Sequence, residues 1–538
     1  MNMRVADFFC GAGGFSEGFR QAGFVTVFAV DKWMPAVNTH HGNHPHSNTI
    51  LDDVERISLL PDKEFHELVP DTEIIIGSPP CVAFSNSNKS GKGDKSLGIK
   101  LLESYLRIVA RKKFRTNSRL NYWVLENVPN IEKYIKPLYT AQDLGLEGDF
   151  TLQVLYENSG VYNSKYFGVA QNRKRFLCGQ FPDPQPTIMT DEDILPLKAI
   201  LDSLGDPGEE MDSLITDPNN NFRMISRDVT DHHYIKELAR HEWKKAKQLK
   251  EDKGYMGRMA FPEDKNKPGR TVMANSSVSS RESVIYAYKK DRYRTPTVRE
   301  LASVMSFPID YRFYGESRGI KSKLVGNAVP PKMAYAFAKS MAESLGREVP
   351  ILYRPIQHSS NFNFINLNNA VFSINKEKPK RDSARFKYHI PYLIINAYRV
   401  ELTNYKSDFK NKDYQWSVEI HKSQGPRAKV FEPIVHSKVF DEETNKEIEL
   451  YINSIQSQLV SFNKFQKQYC LTTEERQGSL GPNELLESVK ELIEEIIQVN
   501  FNESIEIDEN PQKLPTAIAI GYFVLKRIIE MMRRLKDE

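Results

Sequence analysis

Four cysteines in 538 residues, Cys10, Cys81, Cys178 and Cys470, are too few and too scattered for a disulfide framework. No CxxC pair offers a zinc site, and no metal-ligand set is expected. A reducing, cytoplasmic setting fits that scarcity. The chain lacks any run of 18 apolar residues, which argues against a membrane-spanning helix. Its first residues lack the basic-then-apolar pattern of a secretory leader. Long repeats and low-complexity tracts are missing, so an array architecture is not expected. Strong charge is missing too: 74 Lys and Arg against 70 Asp and Glu leave +4, which permits nucleic acid as a partner without demanding it. The length leaves room for two or three domains with ample cores.

What the chain does have is a series of apolar runs that stop at glycine, proline or an acidic residue. Glu73-Ile74-Ile75-Ile76 runs into Gly77-Ser78-Pro79-Pro80-Cys81. A β-branched run halted in this way reads as a buried strand ending in a loop. In an open α/β sheet, ligands sit beyond the carboxyl ends of the strands. Cys81 therefore stands where a nucleophile would, on a backbone restrained by two prolines. A lone cysteine is more commonly a buried, inert side chain, so its meaning depends on its company.

Met3 to Phe9 reads as a first strand leading into Cys10-Gly11-Ala12-Gly13-Gly14-Phe15-Ser16-Glu17-Gly18-Phe19. Glycines there let the backbone turn tightly and approach a ligand, and the helix that follows offers free N–H groups. A second strand, Val25 to Val30, ends in Asp31, where a carboxylate binds ribose hydroxyls. Asn48 to Val54 reads as a third strand end, again acidic at Asp52 and Asp53. No GK[ST] follows the glycines, so a nucleoside-bearing cofactor is expected rather than a phosphate-cradling NTPase loop.

Tyr122-Trp123-Val124-Leu125 forms a further strand that ends in Glu126-Asn127-Val128-Pro129-Asn130. That places a carboxylate in the same cleft as Cys81. Between the two strands lie a polar loop, Ser85 to Gly98 with Lys89, Lys92 and Lys95, and a helix from Leu101 to Lys113. The lysines suit phosphates and plain solvent equally. In Gln171-Asn172-Arg173-Lys174-Arg175-Phe176, strand alternation puts Gln171, Arg173 and Arg175 on one face, with two guanidinium groups aimed at an anion or a carbonyl.

The blocks DFFCGAGGFSEGF, GSPPCVAFS, ENVPN, QNRKRF, RTPTVRELASVMSFP and GNAVPPKMAYAFA occur in the order of one family. Over residues 3 to 345 the chain resembles the C5-cytosine DNA methyltransferases, least closely in 184 to 260. The resemblance implies a doubly wound, mostly parallel α/β sheet of the Rossmann-like, S-adenosylmethionine-dependent type. It implies a catalytic and cofactor-binding domain over 1–183, a small irregular target-recognition region over 184–290 and a return to the catalytic domain over 291–349. Residues 350–538 are not matched and read as a C-terminal α+β accessory domain.

The same resemblance implies that Cys81 adds to C6 of a cytosine flipped out of double-stranded DNA, and that a methyl group passes from S-adenosylmethionine to C5. It gives Glu126 the contact to cytosine N3. It gives Arg173 and Arg175, with Gln171 beside them, the base or its neighbouring phosphates. Phe9 would stack on the adenine, Gly11, Gly13 and Gly14 would approach the methionine portion, and Asp31 with Lys32 would meet the ribose. Asp53 would contact the adenine, with Asp52 as the alternative register. Pro79, Asn327 and Val329 would close the pocket. DNA contacts are expected from Ser85, Lys89, Lys92, Tyr255 and Arg258. A restriction–modification or anti-phage defence role is expected, with a cognate restriction nuclease or defence-system subunits as further partners. No membrane partner is expected, and the location is cytoplasmic, on the nucleoid when bound to DNA.

Two other readings stay on the table. One branch of the same fold methylates tRNA, but it carries Cys-Phe-Thr after the Glu-Asn-Val block, where this chain has Ile131-Glu132-Lys133. A non-catalytic DNA-binding subunit is opposed by retention of Cys81, Glu126, Gln171, Arg173 and Arg175. His241 to Lys253 reads either as a solvated charged helix or as part of a basic–aromatic DNA surface.

In the tail, strands are expected over Phe362–Ile374, Phe386–Leu402, Tyr414–His421 and Lys429–Val435. Helices are expected over Glu442–Gln468, Asn483–Val499 and Thr516–Lys536. Lys376 to Arg381 reads as a basic linker. Glu419-Ile420-His421-Lys422 lacks the E-x-K spacing of a nuclease. The tail is expected to bind DNA, to bind a partner subunit, or to brace the catalytic domain.

Overall fold

Ile74 and Ile76 enter one apolar core while Ile75, between them, enters another. A strand that is apolar on both faces needs helices on each side. That requirement sets the architecture of the first of two units, Met1–Phe372 and Ser373–Glu538. The computed structural model describes residues 3–80, 95–251, 258–274, 278, 280–289, 292–370, 382–423, 429–471, 476, 478–497, 503–508, 511 and 513–535.

The sheet is built from β1 (Arg4–Phe8), α1 (Gly14–Gln21), β2 (Val25–Asp31), α2 (Met34–Asn43), β3 (Asn48–Leu51), α3 (Val54–Ser58), α4 (Asp62–Leu68), β4 (Ile74–Gly77), α5 (Ser96–Lys113) and β5 (Tyr122–Asn127). A small hairpin, β6 (Leu138–Thr140) and β7 (Thr151–Gln153), precedes β8 (Gly160–Asn163) and β9 (Lys174–Cys178). The seven strands lie in the order β3-β2-β1-β4-β5-β9-β8. The first five are parallel, and β9 runs antiparallel to both β5 and β8. This is the expected doubly wound, mostly parallel α/β sheet. Its order reverses between β1 and β4, and such a switch point opens a crevice at the carboxyl ends of the strands.

Next come α6 (Leu197–Leu204), the hairpin β10 (Leu214–Thr216) and β11 (Arg223–Ile225), α7 (Arg240–Glu251), and the hairpin β12 (Tyr286–Lys289) and β13 (Arg292–Arg294). The unit then runs through α8 (Val298–Val304), α9 (Arg318–Asn327) and α10 (Pro331–Ser344). The division expected at 290/291 falls inside the β12–β13 pair, so it separates no folded pieces. Leu197, Ile200 and Leu201 of α6 share a core with Leu301 and Val304 of α8. In the RTPTVRE block, the Thr297 hydroxyl accepts from Glu300 N at 3.1 Å and Glu300 accepts from Thr297 N at 2.7 Å, a capping box that starts α8. Helix α7 is more than a solvated helix: Ala246 and Lys250 are buried, and Trp243 packs on Tyr293 with ring centroids 4.9 Å apart.

α1 and α10 cross closely at glycine. A Cβ on Gly18 would lie 2.5 Å from both the Ala334 Cβ and the Pro331 carbonyl.

Residues 350–370, assigned above to the tail, are a strap on the first unit. The Tyr353 hydroxyl and the Ile356 amide donate to the two carboxylate oxygens of Asp310, each at 2.8 Å. Phe364 packs edge-on to Tyr314 at 5.3 Å. Lys321 and Asp231 form an ion pair at 2.7 Å with no exposure of either side chain. The strap completes it: the Ile365 carbonyl accepts from Lys321 Nζ at 2.6 Å, and the Leu367 amide donates to Asp231 at 3.0 Å. A buried pair is tolerated only when such bonds satisfy it. The expected strand Phe362–Ile374 is therefore replaced by this strap and a single turn at Leu367–Asn369. Its last residues, and Lys376 to Arg381, lie outside the described residues.

In the second unit, β14 (Lys387–His389), β15 (Tyr398–Thr403), β16 (Ser417–Lys422) and β17 (Lys429–Phe431) form an antiparallel sheet in that order. It is followed by α11 (Glu442–Ile455), α12 (Phe462–Cys470), α13 (Pro482–Ile496), the hairpin β18 (Ser504–Glu506) and β19 (Lys513–Pro515), and α14 (Thr516–Arg534). Ile518, Tyr522 and Leu525 of α14 share one core with Val400, Trp416 and Ile420 of the sheet. The strand expected over Phe386–Leu402 is two strands, because Tyr392, Asn396 and Ala397 take positive φ and turn the chain. The helix expected over Glu442–Gln468 is also two, restarted by Ser461 as the cap of α12. His421 bridges Glu401 and Glu419 at 3.2 and 3.0 Å, and Arg399 pairs with Glu401 at 2.6 Å. Among the described residues, no acidic or histidine cluster could hold a metal ion, and no helix is long and apolar enough to cross a membrane.

Gly18→Ala is expected to lower the unfolding free energy by about 1–3 kcal/mol through overpacking at the α1–α10 crossing. Chemical denaturation measures this, and a wild-type value would show that the two helices part freely.

Candidate active site

A cavity of about 310 Å³ opens at the switch point. Each parallel strand delivers its next residues to the wall: Phe9 to Ala12 after β1, Asp31 to Trp33 after β2, Asp52 and Asp53 after β3, Ser78 to Pro80 after β4, and Glu126 with Val128 after β5. The junction of α9 and α10 closes the wall with Asn327 and Val329.

The glycine loop is held from several sides. Phe9 and Gly11 take φ of +59° and +52°. Asp31 accepts from Gly11 N at 3.0 Å and from Trp33 N at 2.9 Å, so its carboxylate is fixed by backbone on two sides. Burial raises the Asp31 pKa above its usual value. The Tyr311 hydroxyl donates to Ala12 O at 2.5 Å. Gly13 and Gly14 do not line the cavity. Gly13 starts α1 at φ +80°, and a Cβ on Gly14 would lie 2.2 Å from Val329 O, so these two glycines serve the turn and the packing.

Under the loop lies a buried polar chain. The Ser16 hydroxyl sits 2.7 Å from Asp7 Oδ2 and 3.0 Å from His40 Nε2, and His40 Nδ1 sits 2.9 Å from the Thr49 hydroxyl. Burial pushes Asp7 up to about 7 and His40 well down. Beside the cavity, Asp53 caps α3 by accepting from Glu55 N at 2.8 Å, and Asp52 pairs with Arg56 through Nε at 2.7 Å.

At the opposite end, Glu126 is buried between two partners. Arg175 Nε is 3.0 Å from Oε1, and the Ser78 hydroxyl donates to Oε2 at 2.5 Å. Asn127 Nδ2 donates to Pro79 O at 2.9 Å, tying the proline turn to the end of β5. Pro80 is the last described wall residue before Cys81. Cys81, Ser85, Lys89, Lys92 and Tyr255 lie outside the described residues. Arg258 is exposed and does not line the cavity.

The expected common face of Gln171, Arg173 and Arg175 is not formed, because β9 begins only at Lys174. Arg175 alone reaches Glu126. Arg173 donates through Nη1 to Val272 O at 3.1 Å and through Nη2 to Gly326 O and Ala328 O at 3.0 and 3.1 Å. Gln171 accepts from Val272 N at 3.0 Å and donates to the Met305 sulfur at 3.0 Å. Both side chains clasp the cavity wall rather than face a substrate.

Sequence reasoning missed Asp7, Trp33 and Lys323 as wall residues and Ser78 as a partner of Glu126. Trp33 and Ser78 were signalled by their places just past strand ends. Lys323 was signalled only by standing four residues before Asn327 on one helix face.

The family model described as C-5 cytosine-specific DNA methylase matches residues 3–343. The type II methyltransferase M.MthTI of Methanothermobacter thermautotrophicus is 27% identical over 358 residues, covering 64% of this chain and 98% of that protein. M.NgoPII, a type II methyltransferase of Neisseria gonorrhoeae, is 26% identical over 361 residues, covering 64% and 97%. The type II methyltransferase M.AgeI of Thalassovita gelatinovora is 40% identical over a shorter stretch of 198 residues, covering 34% and 42%.

The buried Asp7 sets a pH dependence of stability. Its carboxyl is raised from 3.8 to about 7 in the folded chain. Between those values the native state keeps a proton that the unfolded chain has lost, so the stability contributed by Asp7 falls as pH rises. Asp7→Asn cannot ionise and keeps an acceptor for Ser16. Its stability relative to wild type is expected to rise by a few kcal/mol (roughly 1.4 per pKa unit) between about pH 4 and pH 8. Denaturant titrations of both proteins across that range test this, and a pH-independent difference would refute it.

Proposed function

Because the chain belongs to the C-5 cytosine-specific DNA methylase family, we propose that its switch-point cleft takes a cytosine swung out of duplex DNA and methylates it with Cys81 as nucleophile. The observation that carries this reading is Glu126, held between Arg175 and Ser78 beside the proline turn that leads into Cys81. A cytosine ring inside a stack is unreachable, so the base has to leave the duplex. Cytosine C5 is a poor nucleophile until a thiolate adds to C6. Cys81 adds as its thiolate while Glu126 bonds cytosine N3. Arg175 orients Glu126 and supplies positive charge beside the ring. Loss of the C5 proton after methylation lets Cys81 leave.

The other end of the cleft fits S-adenosylmethionine. Phe9 and Trp33 offer flat apolar surface for an adenine, and Asp31, fixed by two amides, suits a ribose diol. Asp53 and Asn327 line the same wall. When bound, the cofactor supplies an electrophilic methyl group on a sulfonium. Residues of the 184–290 region read the target bases. The type II relatives support a role in a restriction–modification system or related defence, in the cytoplasm and with a cognate nuclease as partner.

Base-resolution mapping of DNA from cells expressing the chain is expected to show 5-methylcytosine in one short fixed context. Unmarked DNA together with methylated tRNA would overturn the assignment. Cys81→Ser is expected to lose at least roughly a hundredfold in methylation rate while keeping DNA affinity. The two arginines are expected to separate. Arg175→Ala lowers kcat by roughly tenfold or more at little cost in stability, whereas Arg173→Ala costs about 3–5 kcal/mol by orphaning buried carbonyls. Equal effects on both readouts would contradict these roles.

A further inference from the structure

Carboxylates dominate the wall of the cleft: Asp7, Asp31, Asp52, Asp53 and Glu126 all line it. A methyl donor that carries its own carboxylate needs a cation to enter such a field. The wall offers four cations. Arg173 is committed to three backbone carbonyls. Arg175 is paired with Glu126. Lys32 stands next to Asp31 and acts electrostatically on it. Lys323 remains. It is exposed, forms no ion pair among the described residues, and its Nζ lies 4.8 Å from the centre of the Trp33 ring. A cation held over an aromatic face keeps most of its charge available to a second partner.

The position of Lys323 points to one end of the ligand. It lies one helical turn before Asn327 on the same face of α9, away from the strand ends that carry Asp31 and Asp53. The glycine loop does not supply an obvious alternative there. The Gly11 amide is donated to Asp31, and the Gly13 amide to Cys10 O at 2.9 Å.

We propose that Lys323, steadied on Trp33, binds the carboxylate of the methionine portion of S-adenosylmethionine and so selects the intact amino-acid tail. The proposal rests on the reading of the cleft as the site of that cofactor. It makes Lys323 a specificity residue, with the ring of Trp33 as its support.

Equilibrium binding by the full chain, measured calorimetrically, tests it with two probes: S-adenosylmethionine and its decarboxylated form. Wild type is expected to prefer the intact molecule by about tenfold or more. Lys323→Gln is expected to remove that preference by weakening only the intact molecule, and Lys323→Arg to keep most of it. DNA affinity and the melting temperature are expected to stay at wild-type values. An undiminished preference in Lys323→Gln, or equal weakening of both probes, overturns the proposal. So does a loss confined to DNA affinity, which would make Lys323 a phosphate contact. Wild type binding S-adenosylmethionine without preference sinks the role of Lys323 alone, whereas wild type binding neither probe sinks the reading of the cleft as well.

Discussion

One guanidinium joins three distant parts of the catalytic unit. Arg173 reaches carbonyls 99, 153 and 155 residues further along the chain. These bonds draw the segment after the recognition region and the turn between α9 and α10 against the last strands of the sheet. The cavity has its far wall because of that attachment. A planar fork with several donors suits the task, and lysine, with a single point of charge, would not span the same carbonyls. Gln171 repeats the device on a smaller scale at Val272 and Met305. The QNRKRF block is thus mostly architecture, and only its last arginine turns to the chemistry.

The sheet and most of the cleft were legible in the sequence because both follow from local pattern. Apolar runs ending at Asp31, Pro79 and Glu126 mark strand ends, and a parallel sheet gathers strand ends on one side. The helices and strands of the second unit were legible for the same reason, except where Tyr392, Asn396 and Ala397 adopt φ values that their residue types do not advertise. What was not legible depended on contacts between distant segments. Alternation assigned Arg173 to the same face as Arg175, and the late start of β9 defeated it. Gly14 looked like a ligand glycine, and the carbonyl of Val329 explains it instead. Nothing local in Lys323 says that Trp33 lies beneath it.

The electrostatics of the cleft follow from its position at the strand ends. Carboxylates gather there, and the fold contains their charge in different ways. Asp31 is caged by amides, Asp53 spends itself on a helix start, Asp52 is neutralised by Arg56 and Glu126 by Arg175. Asp7 has only the Ser16 hydroxyl as a side-chain partner, and burial alone keeps its proton near neutrality. The result is a pocket whose walls are polar but whose net field is moderated residue by residue.

The strap has an evolutionary meaning. The family pattern ends at residue 343, yet the fold does not end there. The buried Lys321–Asp231 pair takes a carbonyl and an amide from residues 365 and 367, and Asp310 takes a hydroxyl and an amide from 353 and 356. The connecting chain has become part of the catalytic core, so the C-terminal unit is not a detachable appendage. Its gain or loss by gene fusion at the motif boundary would leave charges stranded in the interior, and the junction open to recombination lies beyond residue 370.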